Sequence, residues 1–252
     1  MRNKKARDEQ GLFVAEGKKL FLEAPRGSLV QVLMTREFAW AHPDLLEQIP
    51  GDVPFLDGID ESRFASLSDT RSPQGILTVM RKQTWTDPIR DGSASDEEAP
   101  LYCILENLQD PGNAGTILRT GEAAGVSAVY LTEGSVDLYS PKVIRSTMGS
   151  IFRVPHIVVP SAKETVRGMK GLSVSVYAAH LKGNVPYTDC DLKGGSAFVI
   201  GNESRGITDE LARECSGLIR IPMLGHVESL NAAMAAGILF YEAARQRRNR
   251  ED

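Results

Sequence analysis

The second half of this 252-residue chain is punctuated by six short apolar runs: Leu101–Leu105, Ala128–Leu131, His156–Val159, Val174–Ala178, Ala197–Ile200 and Leu218–Ile221. Each has the length of a buried strand, and helix-start signals lie between several of them. Ser140-Pro141 sets a capping residue before a proline at the first helical position. Thr208-Asp209-Glu210-Leu211 sets a capping threonine before first-turn acids. Apolar strands alternating with helices imply a mostly parallel sheet covered on both faces, so the fold class is α/β.

The first half mixes the two periods as well. Val30–Met34 and Gly75–Met80 read as strands, Lys18–Ala24 and Glu61–Leu67 as helices, which makes residues 1–82 a small α/β domain. From Asp87 the chain turns rich in Pro, Gly, Ser and acid without apolar periodicity, and residues 83–99 read as an acidic, extended linker. Residues 100–252 form the second domain. A chain starting near Pro100 is therefore expected to fold by itself.

Charge and composition narrow the classes. The net charge of −4 sits wholly in residues 83–99, which hold one Lys+Arg against five Asp+Glu; residues 1–82 hold 12 of each and residues 100–252 hold 16 of each. Neutral flanks leave room for a local basic face toward nucleic acid. No apolar run reaches membrane-span length, so no membrane partner is expected. The charged start lacks the apolar region of a secretory signal. Cys103, Cys190 and Cys215 stand far apart, as do His42, His156, His180 and His226, so no metal site is expected. Buried thiols suit a reducing cytoplasm.

Three loops carry chemistry. The first, Asn107–Thr120, follows a strand. Pro111-Gly112 turns the chain, Asn113 is placed to cap a helix from Ala114, and that helix buries Ile117, Leu118 and Ala124. Thr116 and Arg119 share its other face. The strand's C-terminal edge is where parallel sheets bind ligands. The second loop, Gly201-Asn202-Glu203-Ser204-Arg205-Gly206-Ile207-Thr208, is bounded by glycines that allow unusual backbone angles or close ligand approach. It lacks the spacing of a dinucleotide fingerprint or a phosphate loop. The third, Ile219–Ala233, leaves a strand at Pro222 and reaches a small-residue helix, from about Leu230 to Arg247, that Ser229 or Asn231 would cap. That helix places Leu230, Ala233, Met234, Gly237, Ile238 and Tyr241 on an apolar stripe. The arginines at its end, Arg245, Arg247, Arg248 and Arg250, suit either dipole compensation or RNA contact.

In order and spacing these loops resemble motifs one, two and three of the SpoU (TrmH-type) family of RNA 2′-O-ribose methyltransferases. Asn113 and Arg119 match the first; Gly201, Asn202, Glu203 and Gly206 the second; Ile221, Pro222, Met223, Ser229, Leu230 and Asn231 the third. Gly11, Phe13, Glu16 and Gly17, with Ser72-Pro73-Gln74-Gly75-Ile76, are similar to the two ends of the family's N-terminal substrate-binding domain. Where many members have Val-Ser after the motif-three Asn, this chain has Ala232-Ala233.

The resemblance implies a C-terminal domain with a deep trefoil knot, here over roughly Phe198–Leu239, and a ribosomal-protein-like RNA-binding domain before it. It implies S-adenosylmethionine as methyl donor, held near Gly201, Asn202, Gly206, Ile221, Met223 and Leu230, with no metal. Arg119 would be the central catalytic residue, with Asn113, Glu203, Ser229 and Asn231 orienting it, the substrate and the donor. RNA is the implied partner, ribosomal RNA before tRNA, and a homodimer through the C-terminal domain is implied. The alternatives are a tRNA ribose methyltransferase, an RNA base methyltransferase of the same fold and a non-catalytic RNA-binding protein. A nicotinamide dehydrogenase is disfavoured by the missing fingerprint.

Overall fold

The structure is a computed structural model in which residues 3–93 and 99–248 are described. The chain opens with α1 (Lys4–Gln10), β1 (Leu12–Glu16), α2 (Lys18–Glu23), β2 (Leu29–Thr35), α3 (Arg36–Ala41), α4 (Pro43–Leu46), β3 (Phe55–Ile59), α5 (Glu61–Leu67) and β4 (Ile76–Arg81). It continues with α6 (Pro88–Asp91), β5 (Leu101–Leu105), α7 (Pro111–Ala124), β6 (Ala128–Thr132), α8 (Pro141–Thr147), β7 (His156–Val159), α9 (Ala162–Gly171) and β8 (Ser175–Ala179). The last elements are β9 (Val185–Pro186), β10 (Ser196–Ile200), α10 (Asp209–Glu214), β11 (Gly217–Arg220) and α11 (Ala232–Arg248). The chain divides into two compact units, one running to Thr84 and including Asp137–Phe152, the other holding Trp85–Val136 and everything from Arg153.

The first unit is built on a four-stranded sheet in the order β1-β4-β2-β3. β4 runs antiparallel to both β1 and β2, and β3 lies parallel to β2 at the edge. Asp60 caps α5 by accepting from the Arg63 N–H, which explains why that helix starts where the sequence places it. The segment around α8 belongs to this unit through particular contacts. The buried Arg7 guanidinium pairs with Asp137 at 2.5 Å. The Phe13 ring lies 4.8 Å from Tyr139 and 6.5 Å from Phe152.

The second unit is a seven-stranded sheet in the order β7-β6-β5-β10-β8-β11-β9. Every pairing in it is parallel. Tyr102, Ile104, Val176, Ala178, Ala197 and Val199 alternate onto one face and pack with Val166 and Met169 of α9 and Leu211 of α10. Phe198 points to the other face, where its ring lies 6.4 Å from Phe240 of α11. Each fully buried side chain of this size contributes about 1.5–3 kcal/mol relative to exposure. Over Phe198–Leu239, where the resemblance expects a knot, chain order and sheet order diverge: β10 sits between β5 and β8, and β11 between β8 and β9.

Several expectations are corrected here. α11 starts at Ala232, not Leu230, and buries Ala233, Ala236, Leu239, Phe240 and Ala243, while Met234 and Tyr241 of the expected stripe are half-exposed. Packing on α7 and β10 sets this face: a Cβ on Gly237 would come within 3.3 Å of Thr120, so the small residues serve close approach of α7 inside the chain. The start of the stretch read as an extended linker is packed in the second unit. Tyr130 donates its hydroxyl to Asp87 at 2.9 Å, Trp85 stacks edge-on against His156, and Ile89 joins the core. Residues 94–98 of that stretch lie outside the described residues. Arg247 donates to the carbonyls of Leu192 and Gly194 and so ties the end of α11 to the segment before β10, while Arg245 pairs with Glu242 within the helix. Arg250 lies outside the described residues.

A chain beginning at Pro100 keeps Asp137–Phe152 but loses Arg7 and Phe13. We expect amide exchange over 137–152 to rise at least tenfold in that protein, about 1.4 kcal/mol of local stability. Hydrogen exchange on full-length and shortened proteins checks this; equal protection would show that the segment stands without the N-terminal residues.

Candidate active site

The registers Leu105↔Ile200, Ala178↔Val199 and Ala178↔Leu218 set the C-terminal ends of β5, β10, β8 and β11 level with one another. The three candidate loops leave from three of these ends, on the edge where parallel sheets bind ligands. Motifs one and two are neighbours; motif three emerges beyond β8.

Glu203 joins them. Its Oε1 accepts from the Asp110 N–H at 2.9 Å and from Asn113 Nδ2 at 3.0 Å, and its Oε2 accepts from the Gln109 N–H at 3.1 Å. Asn113 Oδ1 then accepts from Asn231 Nδ2 at 2.8 Å, and Asn231 Oδ1 accepts from the N–H groups of Ala233 and Met234. The amides thus run in one direction, from the N-terminus of α11 to a carboxylate. Burial raises the Glu203 pKa, but the Asn113 side chain and the two backbone donors outweigh it and hold the carboxyl below its ordinary value. Glu203 is an ionised clamp here, with its lone pairs engaged by the protein.

The structure corrects three local readings. Asp110 caps α7, accepting from the Asn113 N–H, so Asn113 sits in the first turn with its side chain free to bridge Glu203 and Asn231. Ala124 is only partly buried, whereas Ile117 and Leu118 are fully so. The third concerns Gly201. A Cβ there would lie 2.3 Å from the Gly206 carbonyl carbon, so the close approach it permits is that of its own loop. Asn202 and Gly206 exchange backbone hydrogen bonds of 3.0 and 2.8 Å, Gly206 has φ +70°, and Asn202 Oδ1 accepts from the Ser204 and Arg205 N–H groups.

Of the five candidate catalytic residues, Asn113, Glu203 and Asn231 are brought together. Arg119 and Ser229 are exposed and make no hydrogen bond or ion pair among the described residues. Of the candidate cofactor residues, Gly201, Asn202 and Gly206 form the tight loop, and Ile221 and Met223 are half-buried just past β11. Leu230 is 37% exposed, near the exposed Leu224 and Val227.

Sequence reasoning missed the residues that tie the loops to the sheet. Glu106, at the end of β5, accepts from the Thr208 backbone and hydroxyl at 2.8 and 2.6 Å. Gln109 donates to the carbonyls of Asn107 and Gly134, and Asn202 donates to that of Asn107. A lone acid directly after an apolar strand was the available signal for Glu106. The loop after β8 was also missed: a Cβ on Gly183 would lie 2.6 Å from Ile219, which seats that loop beside β11.

A parallel α/β sheet with three cross-linked loops at its C-terminal edge defines a ligand-binding catalytic unit, preceded by a small four-stranded unit. Residues 100–241 match the SpoU rRNA methylase family and residues 1–78 the MRM3-like substrate binding domain. The chain belongs to the SpoU rRNA methylase family. It is 31% identical to the 23S rRNA (guanosine(2553)-2'-O)-methyltransferase RlmP of Bacillus subtilis, over 96% of this chain and 92% of that one. An AdoMet-bound rRNA methyltransferase from Sinorhizobium meliloti superposes with a TM-score of 0.82 at 32% identity, covering 97% of this chain and 91% of that one. A protein whose structure addresses the 2-OH methylation of C/U34 on tRNA superposes with a TM-score of 0.55 at 31% identity; it covers 60% of this chain and 98% of its own.

Glu203→Gln keeps the shape and replaces one acceptor by a donor facing backbone N–H groups. We expect a fall of at least tenfold in methyl transfer, about 1.4 kcal/mol in the barrier. The depressed carboxyl adds stability above its unfolded pKa and loses it only as pH falls through the lower, folded value. Thermal melting of the wild type should therefore keep a Glu203-dependent acid limb below the ordinary glutamate value of 4.5, and that limb should shrink in Glu203→Gln. Identical limbs in both proteins would remove Glu203 from the account.

Proposed function

We propose that this protein transfers a methyl group from S-adenosylmethionine to a ribose 2′-hydroxyl of ribosomal RNA. The observation that carries the reading is the single hydrogen-bond chain Glu203–Asn113–Asn231, which unites all three family motifs while leaving Arg119 uncommitted on the neighbouring surface. The donor set suits an adenosyl group: exposed apolar side chains at Leu224, Val227 and Leu230, the free Ser229 hydroxyl and the Gly201–Gly206 turn. When bound, S-adenosylmethionine supplies an electrophilic methyl group. Ile221, Met223 and Leu230, with the backbone of Gly201, Asn202 and Gly206, would hold it.

The chain's own contribution is to position and to stabilise charge. A ribose hydroxyl becomes a good nucleophile when its proton leaves or its developing charge is met. A guanidinium stays protonated, with a pKa above about 12. Arg119 therefore serves best by gripping the adjacent phosphate and meeting the forming alkoxide. Asn113, Glu203 and Asn231 are positioning residues, because their polar atoms are engaged with one another. Ser229 keeps its hydroxyl available for substrate or donor.

The N-terminal unit supports ribosomal RNA over tRNA as substrate: its residues match the MRM3-like substrate binding domain, and the tRNA-related neighbour covers only 60% of this chain. The half-exposed Met234 and Tyr241 of α11 support a homodimer through the second unit. Three free thiols, Cys103, Cys190 and Cys215, are in keeping with a cytoplasmic setting.

Arg119→Ala should abolish methyl transfer with little change in melting temperature or donor affinity. Arg119→Lys should lose at least tenfold (about 1.4 kcal/mol), since ammonium lacks the planar fork. Mapping ribose methylation on total RNA treated with each protein checks both. Near-full turnover by the lysine variant would reduce Arg119 to a point charge, and methylation on a base nitrogen would overturn the assignment.

A further inference from the structure

The N-terminal unit is electrically divided along its sequence. Residues 36–69 hold eight Asp+Glu against two arginines, whereas the rest of residues 1–82 hold four against ten Lys+Arg. All eight acids, Glu37, Asp44, Glu47, Asp52, Asp57, Asp60, Glu61 and Asp69, are exposed. All but Asp69 belong to α3, α4, β3, α5 and the turns between them, α3 packing against the edge strand β3; Asp69 follows α5, between the Ser68 and Thr70 that bond Glu16 of β1.

The β3 edge presents apolar surface. The outer edge of β3 pairs with no strand among the described residues. Pro54 to Gly58 are consecutively exposed, with Phe55 and Leu56 at 50% and 52%. On α3, which packs against β3, Trp40 is 88% exposed. Val32 donates to the Pro54 carbonyl, and the ladder pairs Val32 with Phe55 and Leu33 with Leu56, so the backbone groups of Phe55 and the N–H of Asp57 point outward, just before the register shifts between Leu56 and Ile59.

We propose that the β3 edge is a docking site for an extended, cationic segment of a protein partner, which adds to the sheet as a further strand. Backbone groups of Phe55 and the Asp57 N–H would bond it, Phe55, Leu56 and Trp40 would receive its apolar side chains, and Asp52, Asp57 and Asp60 would meet its Lys or Arg. The charge selects among occupants. RNA phosphate is repelled by the acidic rim and drawn to the basic remainder of the unit. A second copy would set one acidic edge against another, and an edge-strand acid such as Asp57 is a known guard against self-pairing. The proposal goes beyond methyl transfer: RNA and a basic protein would occupy surfaces of opposite sign on one unit.

The test uses the full chain with three probes: a capped peptide of alternating lysine and valine, about ten residues long, its glutamate–valine counterpart, and a ribosomal RNA fragment. Calorimetry and tryptophan emission report binding, with Trp40→Phe assigning the emission change. The lysine peptide should bind, more weakly at high salt, and shift Trp40 emission, while the glutamate peptide should not. Asp57→Pro removes an outward N–H from an edge strand and should weaken peptide binding at least tenfold, about 1.4 kcal/mol. Asp57→Lys, which keeps the backbone donor, should also weaken the lysine peptide. Both variants should retain wild-type methylation of the RNA fragment, which shows that they are folded. Absence of peptide binding, RNA binding that shifts Trp40 emission and falls in Trp40→Ala, or self-association lost on Asp57→Lys would each overturn the proposal.

Discussion

One carboxylate organises the active-site edge. Glu203 accepts two backbone N–H groups from the loop after β5 and one side-chain amide from the first turn of α7. An ionised acceptor strengthens each of these bonds, and the polarisation passes along Asn113 and Asn231 to the positive end of α11. Three loops distant in sequence thereby share one electrostatic well. Loss of any amide would leave a donor or acceptor without its partner in a region already partly shielded from water.

The glycines around this clamp hold the backbone in conformations that a side chain would forbid. Gly201 lets the motif-two loop close on itself, and Gly183 lets the loop after β8 lie on β11. Glu106 pins Thr208, the capping residue of α10, to the end of β5, so the exit of the motif-two loop is fixed as firmly as its entry. Arg119 stands outside this lattice. A rigid frame beside an uncommitted cation suits chemistry in which substrate arrives with its own phosphate and the frame needs no reorganisation.

The N-terminal unit follows a different logic. Glu16, buried at the end of β1, accepts from the hydroxyls of Ser68 and Thr70 and from the Gln74 N–H, tying the two ends of the substrate-binding domain together. Gly17, at φ +114°, and Gly75, at φ +80°, flank that junction. The stretches similar to the family at the start and end of this domain are thus one structural knot of hydrogen bonds, with the charged surface distributed around it.

The amino-acid sequence by itself determined the strands of the parallel sheet, because continuous apolar runs between helix caps have few other solutions. Leu101–Leu105 and His156–Val159 form as read, and the other four runs differ only at their ends. It also carried the motif residues, because the resemblance to the SpoU family falls on Asn113, Glu203 and Asn231 at loops that leave strands. It did not reveal β3, whose exposed, Asp- and Gly-containing run lacks a buried face, nor the attachment of Asp137–Phe152 to the first unit, which rests on Arg7 and Phe13 far earlier in the chain. Only the tertiary structure decided that Asn113 bridges loops while Asp110 caps, that Gly201 accommodates its own backbone, and that α11 buries Ala236 and Phe240 while Met234 stays exposed. The partners of Asn113 and of α11 are remote in sequence, and local periodicity carries no information about which of two suitable faces or donors a distant segment will meet; Gly201 meets Gly206 of its own loop, whose closure leaves no periodic signal.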